Sequence, residues 1–276
     1  MAESPRWRVG TVPYLVARPL TDGLEEDPRI DLTVAPPAEL ARGLRAGELD
    51  VALASSVLRL DEPPLAMWEE GPVIAGDGPI RSVLLFLAPG VESPARIRRW
   101  YADPDSRTGR MLTSWLLEHA WDATEATMLE APAVEDLRQT ALDAGIDAVQ
   151  LIGDPALVAR RSWHRWTVVD LGQAWATATD LPFLYAGWML RPGFELGELA
   201  GILEEAAVRG LEARPRLAAA AAEGDADREV FLQRYLTEDL RYRLDPGTAA
   251  AILRRLTASP RELPAVPRGE TGRDGS

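Results

Sequence analysis

Four short segments hold the side chains with most to offer a small ligand. Val12-Pro-Tyr-Leu-Val-Ala-Arg-Pro-Leu20 joins a strand to a helix and presents Tyr14, Val16 and a helix N-terminus. Asp77-Gly-Pro-Ile-Arg-Ser82 is a tight turn, and Ser82 opens an apolar run with a hydroxyl able to donate to a ligand oxygen. Ala102-Asp-Pro-Asp-Ser-Arg-Thr-Gly109 precedes a helix, where Ser106, Arg107, Thr108 and unpaired N–H groups can together cradle a carboxylate. Leu151-Ile-Gly-Asp-Pro-Ala156 puts Asp154 at another helix start, just past a strand. Each segment also has a plainer use. Arg18 can be a surface ion-pair partner, Ser82 can bond nearby backbone, and Ser106, Thr108 and Asp154 can be ordinary caps.

What is missing narrows the chemistry further. The 276-residue chain has no cysteine, so disulfides, thiolate nucleophiles and cysteine metal sites are excluded. All 30 basic residues are arginine, which leaves no lysine for a Schiff base. There is no asparagine either, and strong G and C codon bias explains both gaps without any function. His119 and His164 are the only imidazoles, so a Ser-His-Asp triad or a His-based metal site is poorly supported. A formal charge of −13 disfavours a nucleic-acid partner but not a small anion, which local arginines and helix N-termini can hold. Met1 to Arg8 lacks the apolar run of a secretory signal, and no stretch reaches the roughly 20 apolar residues of a membrane helix. The expectation is a cytoplasmic protein with no membrane partner.

The elements that must position these groups alternate. Arg8 to Tyr14, Ile30 to Ala35 and Asp50 to Ala54 read as strands, with helices over Ala17 to Glu26 and from Pro36-Pro37 to Gly47. Ser55 and Ser56 then lie at the carboxyl end of the third strand, where ligands of doubly wound sheets sit. Arg81 to Ala88 and Leu181 to Leu190 are the strongest apolar runs. Between them strand and helix alternate again, so the two runs predict crossovers out to a second lobe and back. The expected division is lobe one over 1–86 and 187–258, lobe two over 87–186, and a disordered tail over 259–276. After Glu195 the pattern is helical, through Val230 to Leu240, with Asp245-Pro246 capping a last helix.

Individually these signals are weak; their order is informative. Arg8-Val-Gly-x-Val-Pro-Tyr-Leu15, Arg18-Pro-Leu, Glu39-Leu-Ala through Asp50-Val-Ala-Leu53, Asp77-Gly-Pro-Ile-Arg-Ser-Val-Leu-Leu85, Ser106-Arg-Thr, Ile152-Gly-Asp and Asp170-Leu-Gly through Leu181-Pro-Phe resemble the chorismate dehydratase family. The resemblance spans roughly residues 7 to 200 in order. It implies an α/β, two-lobed type II periplasmic-binding-protein-like fold, each lobe a mixed sheet flanked by helices. It also implies no metal and no cofactor, chorismate as the small-molecule substrate, and loss of water to give 3-[(1-carboxyvinyl)oxy]benzoate on the futalosine route to menaquinone. Ser82 matches the family's pocket serine, and Ser106, Arg107 and Thr108 match its Ser-Arg-Thr turn. Where the family carries an asparagine after Tyr-Leu this sequence has Val16, which neither donates nor accepts a hydrogen bond. A non-catalytic cytoplasmic binding protein for an aromatic or carboxylate ligand is therefore the second expectation. The related dihydroxynaphthoate synthase is a third, but its catalytic histidine has no convincing match.

Overall fold

The computed structural model describes residues 6–258; the tail expected at 259–276 lies outside them. The chain opens with β1 (Trp7–Thr11), α1 (Arg18–Thr21), β2 (Ile30–Val34), α2 (Pro37–Ala46), β3 (Val51–Ser55), β4 (Ala66–Met67) and β5 (Val73–Gly76). It continues through β6 (Val83–Leu87), β7 (Arg99–Ala102), α3 (Arg107–His119), β8 (Thr127–Glu130), α4 (Leu137–Asp143), β9 (Ala148–Ile152), α5 (Gly153–Ser162), β10 (Thr167–Asp170) and α6 (Leu171–Thr179). Last come β11 (Phe183–Leu190), α7 (Leu199–Glu212), α8 (Arg214–Ala222), α9 (Ala226–Arg234) and α10 (Pro246–Thr257).

These strands form two mixed sheets with one plan. In the first, the order is β2-β1-β3-β11-β4, and β5 also pairs with β11. In the second, the order is β8-β7-β9-β6-β10. The first three strands of each list run parallel, and a strand entering from the other half of the chain, β11 or β6, lies antiparallel beside the third. Interior strands flanked on both sides by other strands and covered by helices lose both faces to the core, which is why Val51–Ser55 and Val83–Leu87 are buried at every position.

The crossings fall at 77–82 and 180–182, taking in only the first two residues of each apolar run, and the strands follow. Residues 83–87 pair only in the second sheet, and 183–190 only in the first. The division expected at 86/87 and 186/187 thus cuts through two complete strands; buried ladder strands cannot also serve as linkers. Asp170, at the end of β10, ties the first crossing to the start of α6, the helix that leads into the second. Its carboxylate accepts from the Ile80 and Arg81 amides at 3.0 and 2.8 Å and caps α6 through Gly172 and Gln173. Arg81 sits at φ +62°, a left-handed conformation a non-glycine residue adopts only when held. Asp170 on its amide and Asp239 on its guanidinium, at 3.1 Å to Nη2 for one oxygen, hold it there.

Two expected helices are interrupted. Ala17 to Glu26 becomes α1 flanked by 3₁₀ turns, because Gly23 at φ +75° reverses the chain. Val230 to Leu240 splits into the end of α9 and a single π-helical turn, Tyr235–Asp239. Asp245 caps α10 as its position promises, accepting from the Gly247 amide at 2.8 Å. One hydrophobic core runs through both sheets, from Val9, Leu53 and Trp188 in the first to Leu85, Trp100 and Leu112 around the second. A smaller cluster, including Phe86, Val149 and Trp166, fills the far face of the second sheet.

Candidate functional site

Beyond the carboxyl ends of both sheets the turns after β1, β3, β7 and β9 converge on a cavity of about 90 Å³. Of the residues expected at a site, Tyr14, Val16, Ser82, Ser106, Arg107 and Thr108 line it. Ser55, Asp105, Gly153 and Tyr185 join them, and Val12, Ile74, Ile80, Val83 and Ile152 make most of the wall apolar.

Two expected residues lie elsewhere. Ser56 is fully buried one residue past β3, and its hydroxyl donates to the Leu184 carbonyl at 2.6 Å, a bond within the first sheet. Strand alternation turns Ser55 toward the cavity and Ser56 away from it. Asp154 is not the N-cap of α5 but lies in its first turn, where a carboxylate complements the helix dipole. It faces a wider groove of about 720 Å³ between α5 and α9, accepts weakly from the Leu15 amide at 3.4 Å, and is pushed above the ordinary carboxylate range by burial.

The turns meet in two crossed contacts. The turn after β1 reaches the turn after β9: the Tyr14 ring packs on Gly153, where an added Cβ would come within 2.7 Å of the ring. Gly153 also stands at φ +61°, so glycine is required there twice over. The Tyr14 phenol is raised well above its usual range by burial, with Asp103, Asp105 and Asp154 nearby adding to it. Conversely, the turn after β7 reaches the turn after β3. Ser55 Oγ and Thr108 Oγ1 are 2.5 Å apart, and Thr108 Oγ1 donates to the Tyr185 carbonyl at 3.0 Å. Because Thr108 has only one hydrogen, Ser55 is the donor between the two hydroxyls. The Thr108 hydroxyl thus ties the halves together and has no hydrogen left for a guest.

Hydrogens for a guest come from elsewhere. Ser106 caps α3 by accepting from the Gly109 amide at 3.0 Å, so its own hydrogen stays available. Other N–H groups in the first turn of α3 have no intrahelical partner. Ser82 is 4% exposed, and its hydroxyl lies 2.7 Å from the Tyr235 hydroxyl and 3.4 Å from the Ile80 carbonyl. Arg107 lines the cavity, but its guanidinium is 2.5 Å from Asp61, which Arg45 also holds. The site is therefore an apolar slot with a few hydroxyl and amide donors in its wall. Among the described residues, no three His, Asp or Glu side chains gather as a metal centre requires, and no helix is long and apolar enough to cross a membrane.

Of the Ser55-Ser56 pair, Ser55 lines the cavity and Ser56 does not, and the sequence does not single out Tyr185, Asp61 or Tyr235. Strand parity is the signal for Ser55. Nothing local marks the others.

Solved structures with this architecture are numerous. A protein of Bordetella bronchiseptica RB50 superposes with a TM-score of 0.66 at 16% identity, over 94% of each chain. The periplasmic aliphatic sulphonate binding protein SsuA of Escherichia coli superposes at 0.60 and 13% identity, over 92% of this chain and 86% of that one. A Candida albicans protein described as having the generic periplasmic binding protein fold superposes at 0.56 and 14% identity, over 92% and 89%. At these identities the likeness establishes the fold: two helix-flanked mixed sheets of the periplasmic-binding-protein type. The family model for menaquinone biosynthesis matches residues 7–258, nearly all of the described chain. The chain belongs to the menaquinone biosynthesis family, and its role lies in that pathway.

Proposed function

We propose that the protein is a chorismate dehydratase, a hydro-lyase of the futalosine route acting in the cytoplasm. It would convert chorismate to 3-[(1-carboxyvinyl)oxy]benzoate and water. The observation that carries this reading is the pairing of an apolar slot with the Ser82 and Ser106 hydroxyls in one cavity, within a menaquinone-biosynthesis chain. The apolar walls suit the substrate ring, and the donors suit its oxygens.

The reaction removes a proton from the ring carbon bearing the enol ether and hydroxide from its neighbour, and the new double bond completes an aromatic ring. Aromatisation supplies the driving force, so the protein has mainly to orient the dianion and assist the leaving group. In this reading Ser82 donates to the departing hydroxyl, and the substrate's own enolpyruvyl carboxylate takes the proton. The α3 N-terminus, with Ser106, holds the other carboxylate. Incubating the purified protein with chorismate and following the benzoate product by chromatography tests this. The expected result is stoichiometric conversion; unchanged chorismate removes the reading.

Val16 favours a second reading. It occupies the cavity wall with no hydrogen-bonding group, where the chorismate dehydratase pattern carries an amide. A chain of this fold that only binds an aromatic carboxylate, much as a solved neighbour is named for binding aliphatic sulphonates, would saturate with chorismate and form no product.

A further inference from the structure

We infer that Tyr235 is a positioning residue that makes Ser82 a hydrogen-bond donor toward the cavity. Tyr235 is absent from the cavity lining and reaches it only through Ser82, 153 positions earlier. Its ring is 1% exposed, and Ser82 Oγ at 2.7 Å is the partner its hydroxyl has among the described residues. A buried phenol hydrogen left unpaired is costly, so Tyr235 donates and Ser82 accepts. The Ser82 hydrogen is then left a choice between the Ile80 carbonyl at 3.4 Å, long for a hydroxyl donor, and an acceptor in the cavity. Donation by the phenol also polarises the Ser82 O–H, making it the better donor.

The surrounding backbone is built for this contact. Tyr235 opens a single π-helical turn and Asp239 closes it; such turns concentrate at functional sites. Asp239 grips the guanidinium of Arg81, whose positive φ aims the next residue, Ser82. One irregular turn therefore fixes two consecutive residues of the crossing between the sheets. The guest atom beside Ser82 is accordingly an acceptor oxygen.

This inference rests on the dehydratase reading, and a double-mutant cycle over Ser82→Ala, Tyr235→Phe and both together separates the two. Tyr235→Phe keeps the ring and should lower kcat about five- to tenfold, with KM within about twofold. In the Ser82→Ala background the same substitution should change nothing further, because its effect passes through the hydroxyl already removed. Equal fold-losses in both backgrounds, or a loss confined to KM, overturn the inference. A wild type that binds chorismate without turnover removes the dehydratase reading alone. The cycle is then read on the dissociation constant for chorismate, where non-additivity supports the inference and additivity overturns it. No binding by the wild type overturns both.

Discussion

Two of the contacts that join the halves use opposite chemistries at equivalent places. Each links the turn after the middle strand of one parallel trio, β1 or β7, to the end of the third strand of the other, β9 or β3. At one, an aromatic ring lies on a bare glycine, Tyr14 on Gly153, and the segment behind it breaks into 3₁₀ turns and a four-residue helix without a side-chain cap. At the other, the chain of hydroxyls from Ser55 through Thr108 ends on the Tyr185 carbonyl, and a capped 13-residue helix stands behind it. The two sheets share a plan, but their contacts do different work. One contact supplies apolar surface; the other spends its hydroxyl hydrogens on holding the halves together and seats the start of α3, whose cap Ser106 keeps a hydrogen to give. A guest with a ring and carboxylates needs both.

Breaking the ring contact should cost most. Gly153→Ala forces a left-handed alanine and pushes Tyr14 off its seat, so about 2–3 kcal/mol of stability is lost. The melting temperature should fall by roughly 4–8 °C, with a matching rise in KM for chorismate. Thr108→Val removes the other contact at nearly constant volume but leaves Ser55 without its acceptor. Its expected cost is about 1–2 kcal/mol by denaturant titration, with kcat falling less than KM rises.

The opposite end of the first sheet sharpens the comparison, because it is held by charge. Asp50 is nearly buried and accepts from the Arg8 amide at 2.9 Å, the Arg8 guanidinium at 2.7 Å and Arg191 Nε at 2.9 Å. Burial alone would raise its pKa, but these partners outweigh it and bring it down to about 2. A carboxyl depressed in the fold stabilises above its unfolded pKa of about 3.9 and loses that contribution as pH falls toward 2. Acid titration of stability should therefore show a loss of about 1–2 kcal/mol between roughly pH 4 and 2 that Asp50→Asn abolishes. The smallest effect belongs to Asp61→Asn. It weakens the hold on the half-exposed Arg107 guanidinium, and calorimetry should show benzoate binding about two- to threefold tighter.

Much of this was legible in the chain because it is local. Ser82 follows a Gly-Pro turn, Ser106 stands at the cap of an amphipathic helix, and Gly153 ends an apolar strand; each carries its structural reason within a few residues. Ser55 and Ser56 are not separable by sequence, because adjacent serines differ only in strand parity, which needs the exact strand boundary. Pairings across the fold were not legible. Asp61 meets Arg107 and Tyr235 meets Ser82 only after two crossings bring the halves together, and neither partner has a distinctive neighbourhood in sequence. The crossings themselves were displaced by a few residues, since an apolar run marks a buried strand and not the linker leading into it.

The most direct measurement is a crystal structure with 3-[(1-carboxyvinyl)oxy]benzoate bound. The account predicts the ring against Val16, Ile80 and Ile152, with one ligand oxygen about 3 Å from Ser82 Oγ and a carboxylate at the start of α3. A ligand seated in the groove between α5 and α9, or one leaving Ser82 untouched, would contradict it.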